Sequence, residues 1–116
     1  MAEAERIQAA VAEFQKTQTE FDNVVDLQQQ LLSQLTESRE VRKELDNLPP
    51  GNQVYKRLGP VLLPQDATDA KDNVTKRLEF IEKELERVEG QLKLLSEKRD
   101  SLRFEIGSLQ QKQQAK

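Results

Sequence analysis

From Val74 to Leu109 the apolar residues stand four and three apart: Val74, Leu78, Ile81, Leu85, Val88, Leu92, Leu95, Leu102, Ile106 and Leu109, with Arg99 alone interrupting the series. A 4-3 repeat sustained over such a length puts all its apolar side chains on one narrow stripe of an α-helix. A stripe two residues per heptad wide can be covered by one partner helix, but it cannot close a globular core. The chain is therefore constrained to a coiled coil. The intervening positions are Glu, Lys, Arg and Gln. Asp72–Lys76, Glu79–Lys83 and Glu89–Lys93 place acid before base at i,i+4, the more favourable orientation on a helix. Asp66 or Asp69 is the expected N-cap.

The partner helix lies in the same chain. Ile7, Phe14, Phe21, Gln28, Leu35 and Arg42 stand seven apart, and Ala10, Thr17, Val24, Leu31, Ser38 and Leu45 form a companion row. All four prolines (Pro49, Pro50, Pro60 and Pro64) fall between the two periodic segments. The sequence thus divides into a helix over 1–48, a connector over 49–66 and a helix over 67–116. At 1.5 Å per residue each helix would run about 70 Å. Equal lengths and a short connector predict an antiparallel pair. Partner numbers that sum to 116 bring seam onto seam throughout: Leu35 with Ile81, Leu31 with Leu85, Val24 with Leu92, Phe21 with Leu95, Phe14 with Leu102 and Ile7 with Leu109. In that register Thr17 faces Arg99, which is expected to snorkel outward. The predicted fold is mainly α, an antiparallel two-helix coiled coil with a short β-hairpin insert, forming one domain over 1–116.

The connector carries its own signal. Val54-Tyr55-Lys56-Arg57-Leu58 reads as a strand, Gly59-Pro60 as a turn, and Val61-Leu62-Leu63 as a second strand. A lone hairpin is marginal in water. This one also bears an apolar run that two slender helices cannot cover. The physical solution is pairing with strands of other chains, so the hairpin is expected to be an oligomerisation element.

Composition excludes much chemistry. There is no Cys and no His, which removes thiolate chemistry, an imidazole base and the usual zinc ligands. No Gly-rich phosphate loop is present. Carboxylate pairs such as Glu82 and Glu86 are common on any long charged helix, so neither catalysis nor a cofactor is expected. Residues 1–48 hold 5 basic and 10 acidic side chains, and no segment is strongly basic, which argues against nucleic acid as a partner. No apolar run is long enough to span a membrane. The first residues, Met-Ala-Glu-Ala-Glu-Arg, are neither a secretory signal nor a basic transit peptide. A soluble protein of the cytoplasm or nucleus is expected.

Helix, hairpin and helix in this order resemble the β-type subunits of prefoldin. The similarity is most specific at Val54-Tyr55-Lys56-Arg57-Leu58-Gly59-Pro60-Val61-Leu62-Leu63, and it continues through Val74-Thr75-Lys76-Arg77-Leu78-Glu79-Phe80-Ile81. One departure is Pro64, where related chains more often carry Lys or another strand former, which leaves the length of the second strand open. The resemblance implies a heterohexamer of two α-type and four β-type subunits, joined through their hairpins, with the helix pairs projecting as tentacles. It further implies that unfolded actin and tubulin are held at the tentacle tips and delivered to the cytosolic chaperonin without nucleotide hydrolysis. On this reading Val54, Tyr55, Leu58, Gly59, Pro60, Val61, Leu62 and Leu63 form the assembly hairpin. The client-binding tip comprises Ile7, Val11, Phe14, Leu102, Ile106 and Leu109, exposed where the helix ends splay. Two other functions fit the helical pattern: a structural scaffold or tether, and a subunit of a prefoldin-like nuclear assembly. The hairpin speaks against a plain tether, which has no need of an apolar two-strand insert.

Overall fold

The structure, a computed structural model, describes residues 2–114. The element order is α1 (Glu3–Asp46), β1 (Val54–Leu58), β2 (Val61–Gln65) and α2 (Ala67–Gln114). The first helix stops two residues before the expected boundary at 48. Leu48 precedes a proline and is thereby biased away from helical backbone. The chain leaves α1 through hydrogen bonds from Asn47 N to Lys43 O and from Leu48 N to Leu45 O. Pro49-Pro50-Gly51-Asn52 then forms a turn closed by Asn52 N donating to Pro49 O. Gly51 has φ +91°, the left-handed value that the third residue of a type II turn requires, with Pro50 favoured before it.

Asp66 is the N-cap of α2. Its Oδ1 accepts from Thr68 N at 2.8 Å and Asp69 N at 3.2 Å, satisfying two amides that have no intrahelical partner. Asp69 lies inside the first turn, where a carboxylate favours the positive end of the helix dipole.

The chain forms two compact units, one of residues 30–86 and the other of the segments flanking them. In the unit of residues 30–86, Arg39 lies 3.8 Å from Glu82, and Asp46 lies 3.8 Å from Lys71. Later residues of α1 meet earlier residues of α2, so the pair is antiparallel. Its core is Leu31, Leu35, Leu45, Ala70, Leu78, Ile81 and Leu85, with Ser38 buried among them. In the other unit the most buried residues are Ala10, Thr17, Val88 and Leu109. There too the helices are antiparallel, since Phe14 meets Arg103 and Phe21 meets Arg99. The partner numbers of the cross-helix ion pairs sum to 111 for Glu13 with Lys98, 117 for Asp46 with Lys71 and 121 for Arg39 with Glu82. These straddle the expected 116.

The companion row of α1 turns out to be the more buried one. Ala10, Thr17, Leu31, Ser38 and Leu45 are buried, whereas Ile7, Phe14, Phe21 and Gln28 are only half-buried and Arg42 is exposed. Three of the five buried residues, Ala10, Thr17 and Ser38, have small side chains. Thr17 keeps its hydroxyl satisfied by donating to Glu13 O at 2.8 Å. The three expected i,i+4 ion pairs of α2 do not close. Ion pairs among the described residues instead cross between the helices, as in Arg39–Glu82, or lie elsewhere along the chain, as in Arg42–Asp46 at 4.0 Å. Exposed pairs of this kind gain little from closing, because water solvates both ends.

Candidate assembly and client-binding sites

The hairpin is antiparallel, with Val54 opposite Gln65, Tyr55 opposite Pro64, Lys56 opposite Leu63, Arg57 opposite Leu62 and Leu58 opposite Val61. Gly59 and Pro60 make the two-residue turn. Gly59 has φ +58°, and proline can only take a negative φ after it, the combination of a type II′ turn. Such a turn matches the twist of the strands it joins. A side chain at Gly59 would strain it, although a Cβ there would meet no atom within 4 Å.

Pro64 does not shorten β2, which runs through to Gln65. The register explains why. With Leu58 and Val61 as the hydrogen-bonded pair closing a two-residue turn, pairs alternate, and Tyr55 with Pro64 is a non-hydrogen-bonded pair. The nitrogen of Pro64 therefore points away from β1, and no ladder bond is lost.

Cross-strand partners share a face. Val54, Leu58, Val61 and Leu63 thus lie on one face with Lys56 and Gln65, and Tyr55 and Leu62 lie on the other with Arg57 and Pro64. Tyr55, Leu58, Val61, Leu62 and Leu63 are between 43% and 62% exposed, while Val54 is half-buried. Among the described residues neither outer edge is paired, because the sheet has two strands. Exposed apolar side chains on both faces thus lie beside two open edges, and open edges of this kind are where strands add to a sheet.

The six expected tip residues all fall in the unit that flanks residues 30–86. Ile7, Val11, Phe14, Leu102 and Ile106 are half-buried, and Leu109 is buried. They are seam residues, with the helices together. Arg99 departs from its expected place. Its guanidinium sits 4.7 Å from the centroid of the Phe21 ring, a cation–π contact, instead of snorkelling outward opposite Thr17. Its Nη2 donates to Ser96 Oγ at 3.4 Å. Its Nε is buried, lying 3.5 Å from Asp100 Oδ1 without hydrogen-bond geometry. Arg103 lies in the same way over Phe14, 5.8 Å from the ring centroid.

Sequence reasoning missed three side chains. Phe80, Leu94 and Phe104 are 63%, 68% and 77% exposed. The signal was available, because all three are large apolar residues that fall outside the 4-3 series of α2. Phe104 flanks a shallow depression of about 190 Å³, with Gly107, Ser108 and Gln111 completing its wall. Among the described residues no three His, Cys, Asp or Glu side chains cluster as metal ligands would, and no helix is long and apolar enough to cross a membrane.

Near the same seam, Lys98 Nζ donates to Glu13 Oε1 at 2.7 Å. This hydrogen bond, and then the charge of Lys98, holds the Glu13 carboxyl below its ordinary pKa. The same bond raises Lys98. Glu13 thus contributes stability above its unfolded pKa and loses it as pH falls through the lower folded value. Lys98 contributes below its unfolded pKa and loses it as pH rises through the higher folded value. Replacing Lys98→Met is expected to move the Glu13 titration midpoint upward, measured by carboxyl-carbon NMR. An unmoved midpoint would show that the pair does not persist in solution.

Comparison with known proteins decides the family. A family profile described as Prefoldin subunit matches residues 8–113. The chain belongs to the prefoldin subunit family. It is 37% identical over 106 residues to prefoldin subunit 6 of Homo sapiens, covering 91% of this chain and 82% of that one. It is 39% identical over 95 residues to prefoldin subunit 6 of Saccharomyces cerevisiae, covering 82% and 83%. Among solved structures, the prefoldin beta subunit from Thermococcus strain KS-1 aligns with a TM-score of 0.82 at 28% identity, covering 89% of this chain and 90% of that one. The prefoldin β-type fold expected from the sequence is thus the fold observed, with two long helices joined by a two-strand hairpin.

Proposed function

We propose that this chain is a β-type subunit of a hexameric prefoldin co-chaperone of the cytoplasm. It assembles with α-type and other β-type subunits through its hairpin. The observation that carries this reading is the hairpin itself, whose exposed apolar faces and open edges are unstable in water unless other strands cover them. With its neighbours in place, the helix pair holds non-native actin and tubulin and passes them to the cytosolic chaperonin. Holding is passive. Several weak apolar contacts, one set per subunit, act together because assembly raises their effective concentration. The seam residues Ile7, Val11, Phe14, Leu102, Ile106 and Leu109 contribute when the helix ends part. Phe104 and Leu94 offer apolar surface without any parting.

Light scattering of denatured actin diluted into the reconstituted complex tests this. Aggregation should be suppressed without nucleotide, and suppression should fall when the chain is left out. Equal suppression without the chain would contradict the reading.

A further inference from the structure

Within the unit of residues 30–86, a groove of about 680 Å³ runs between β1 and the adjoining turns of α1 and α2. Its floor is apolar, made by Val41, Leu45, Ala70 and Val74. Leu45 and Ala70 are buried, but Val41 is 44% exposed, so the groove is open to an incoming side chain. The charged residues lining it are Lys56, Arg57 and Arg77, and no carboxylate lines it. Among the described residues none of these three cations is held in an ion pair, although Arg57 Nε donates to Gly59 O at 3.3 Å. Elsewhere in this unit Arg39, Arg42 and Lys71 face carboxylates, whereas Lys43, Lys76 and Lys83 stand in no ion pair among the described residues, so what marks the groove is three cations gathered around one apolar floor. Three unpaired cations around an apolar floor form a half-site whose complement is a carboxylate beside an apolar side chain.

The position of the groove fixes where that complement comes from. One wall is β1, whose outer edge presents the backbone groups of Tyr55 and Arg57 to an added strand. A strand paired there brings its flanking residues over the mouth of the groove. We infer that the groove receives an acidic segment of an adjoining prefoldin subunit, its apolar side chain on Val41 and Val74 and its carboxylates on Lys56 and Arg77. This rests on the assembly reading and adds to it a polar contact that selects the neighbour. Hairpin burial is shape-tolerant, whereas a required carboxylate rejects subunits that lack one.

Two measurements on the assembled complex test this. Carbodiimide coupling, which joins a lysine amine to a touching carboxylate, should link Lys56 to an Asp or Glu of an adjoining prefoldin subunit, identified by peptide mass spectrometry. The double variant Lys56→Glu with Arg77→Glu should enter the complex about tenfold less well than the wild type in direct competition. The deficit should shrink as salt screens the interaction. Both side chains are exposed, so circular dichroism of the variant should match the wild type. Wild-type incorporation of the double variant would overturn the proposal while leaving hairpin assembly intact. So would Lys56 links confined to this chain, to a second copy of it or to bound client. If the wild-type chain enters no complex, the assembly reading fails and this proposal fails with it.

Discussion

The double substitution Val61→Asp with Leu62→Asp is expected to abolish entry into the complex while leaving the helices intact. Val61 and Leu62 lie on opposite faces of β2, and they are 51% and 62% exposed. In the isolated chain two carboxylates there meet water and cost little. In the assembly both would be buried among apolar strands. Desolvating an unpaired carboxylate costs several kcal/mol, and about 1.4 kcal/mol is already tenfold in affinity. Association should therefore be lost at any practical concentration. The helices α1 and α2 hold 44 and 48 residues and need none of these contacts, so the far-UV spectrum should keep its helical form. A variant found in the complex at the wild-type level would remove the hairpin from the interface.

Substitutions on α2 should separate client holding from coiled-coil stability. Phe104 is 77% exposed and Leu109 is 8% exposed, although they stand only five residues apart on the same helix. Phe104→Ser removes little packing and should leave the melting temperature within a degree or two, while weakening suppression of actin aggregation several-fold. Leu109→Ser removes a buried side chain and should cost about 2 kcal/mol, near the low end for such losses because the site lies close to a helix end. Local loosening should show as faster amide exchange there. Holding by Leu109→Ser complexes should weaken if parted helix ends bind client through this side chain. If Phe104→Ser holds client as well as the wild type does, the exposed ring is not a contact and the seam residues alone carry the tip.

The helices were legible because a 4-3 repeat leaves one geometry open. The hairpin was legible because Gly59-Pro60 marks a turn between two apolar runs. The end of α1 before Pro49 followed from local backbone chemistry in the same way, and so did a cap at Asp66 or Asp69, of which the structure uses Asp66. Finer features were not legible for physical reasons. Which seam row lies deeper was not legible because Thr17 and Ser38 read as polar, yet both are buried, the Thr17 hydroxyl satisfied within its own helix. Arg99 reads as a seam defect, but its planar guanidinium can lie flat on Phe21, an option that depends on a ring from the other helix. The acid–base pairs of α2 have the right spacing and little reason to close in water. Phe104 stands outside the repeat, where a stripe-based reading discards it as surface. The groove beside β1 is formed by residues of three elements, and no local pattern could bring Lys56, Arg57 and Arg77 together.

Assembly with other prefoldin subunits underlies every role proposed for this chain. Native mass spectrometry of the tagged chain, purified from its own cells, tests it most directly. The expected result is a discrete hexamer in which this chain is accompanied by α-type and other β-type prefoldin subunits. A homodimer, or a complex with large unrelated proteins, would contradict the account and return the helix pair to the role of a tether.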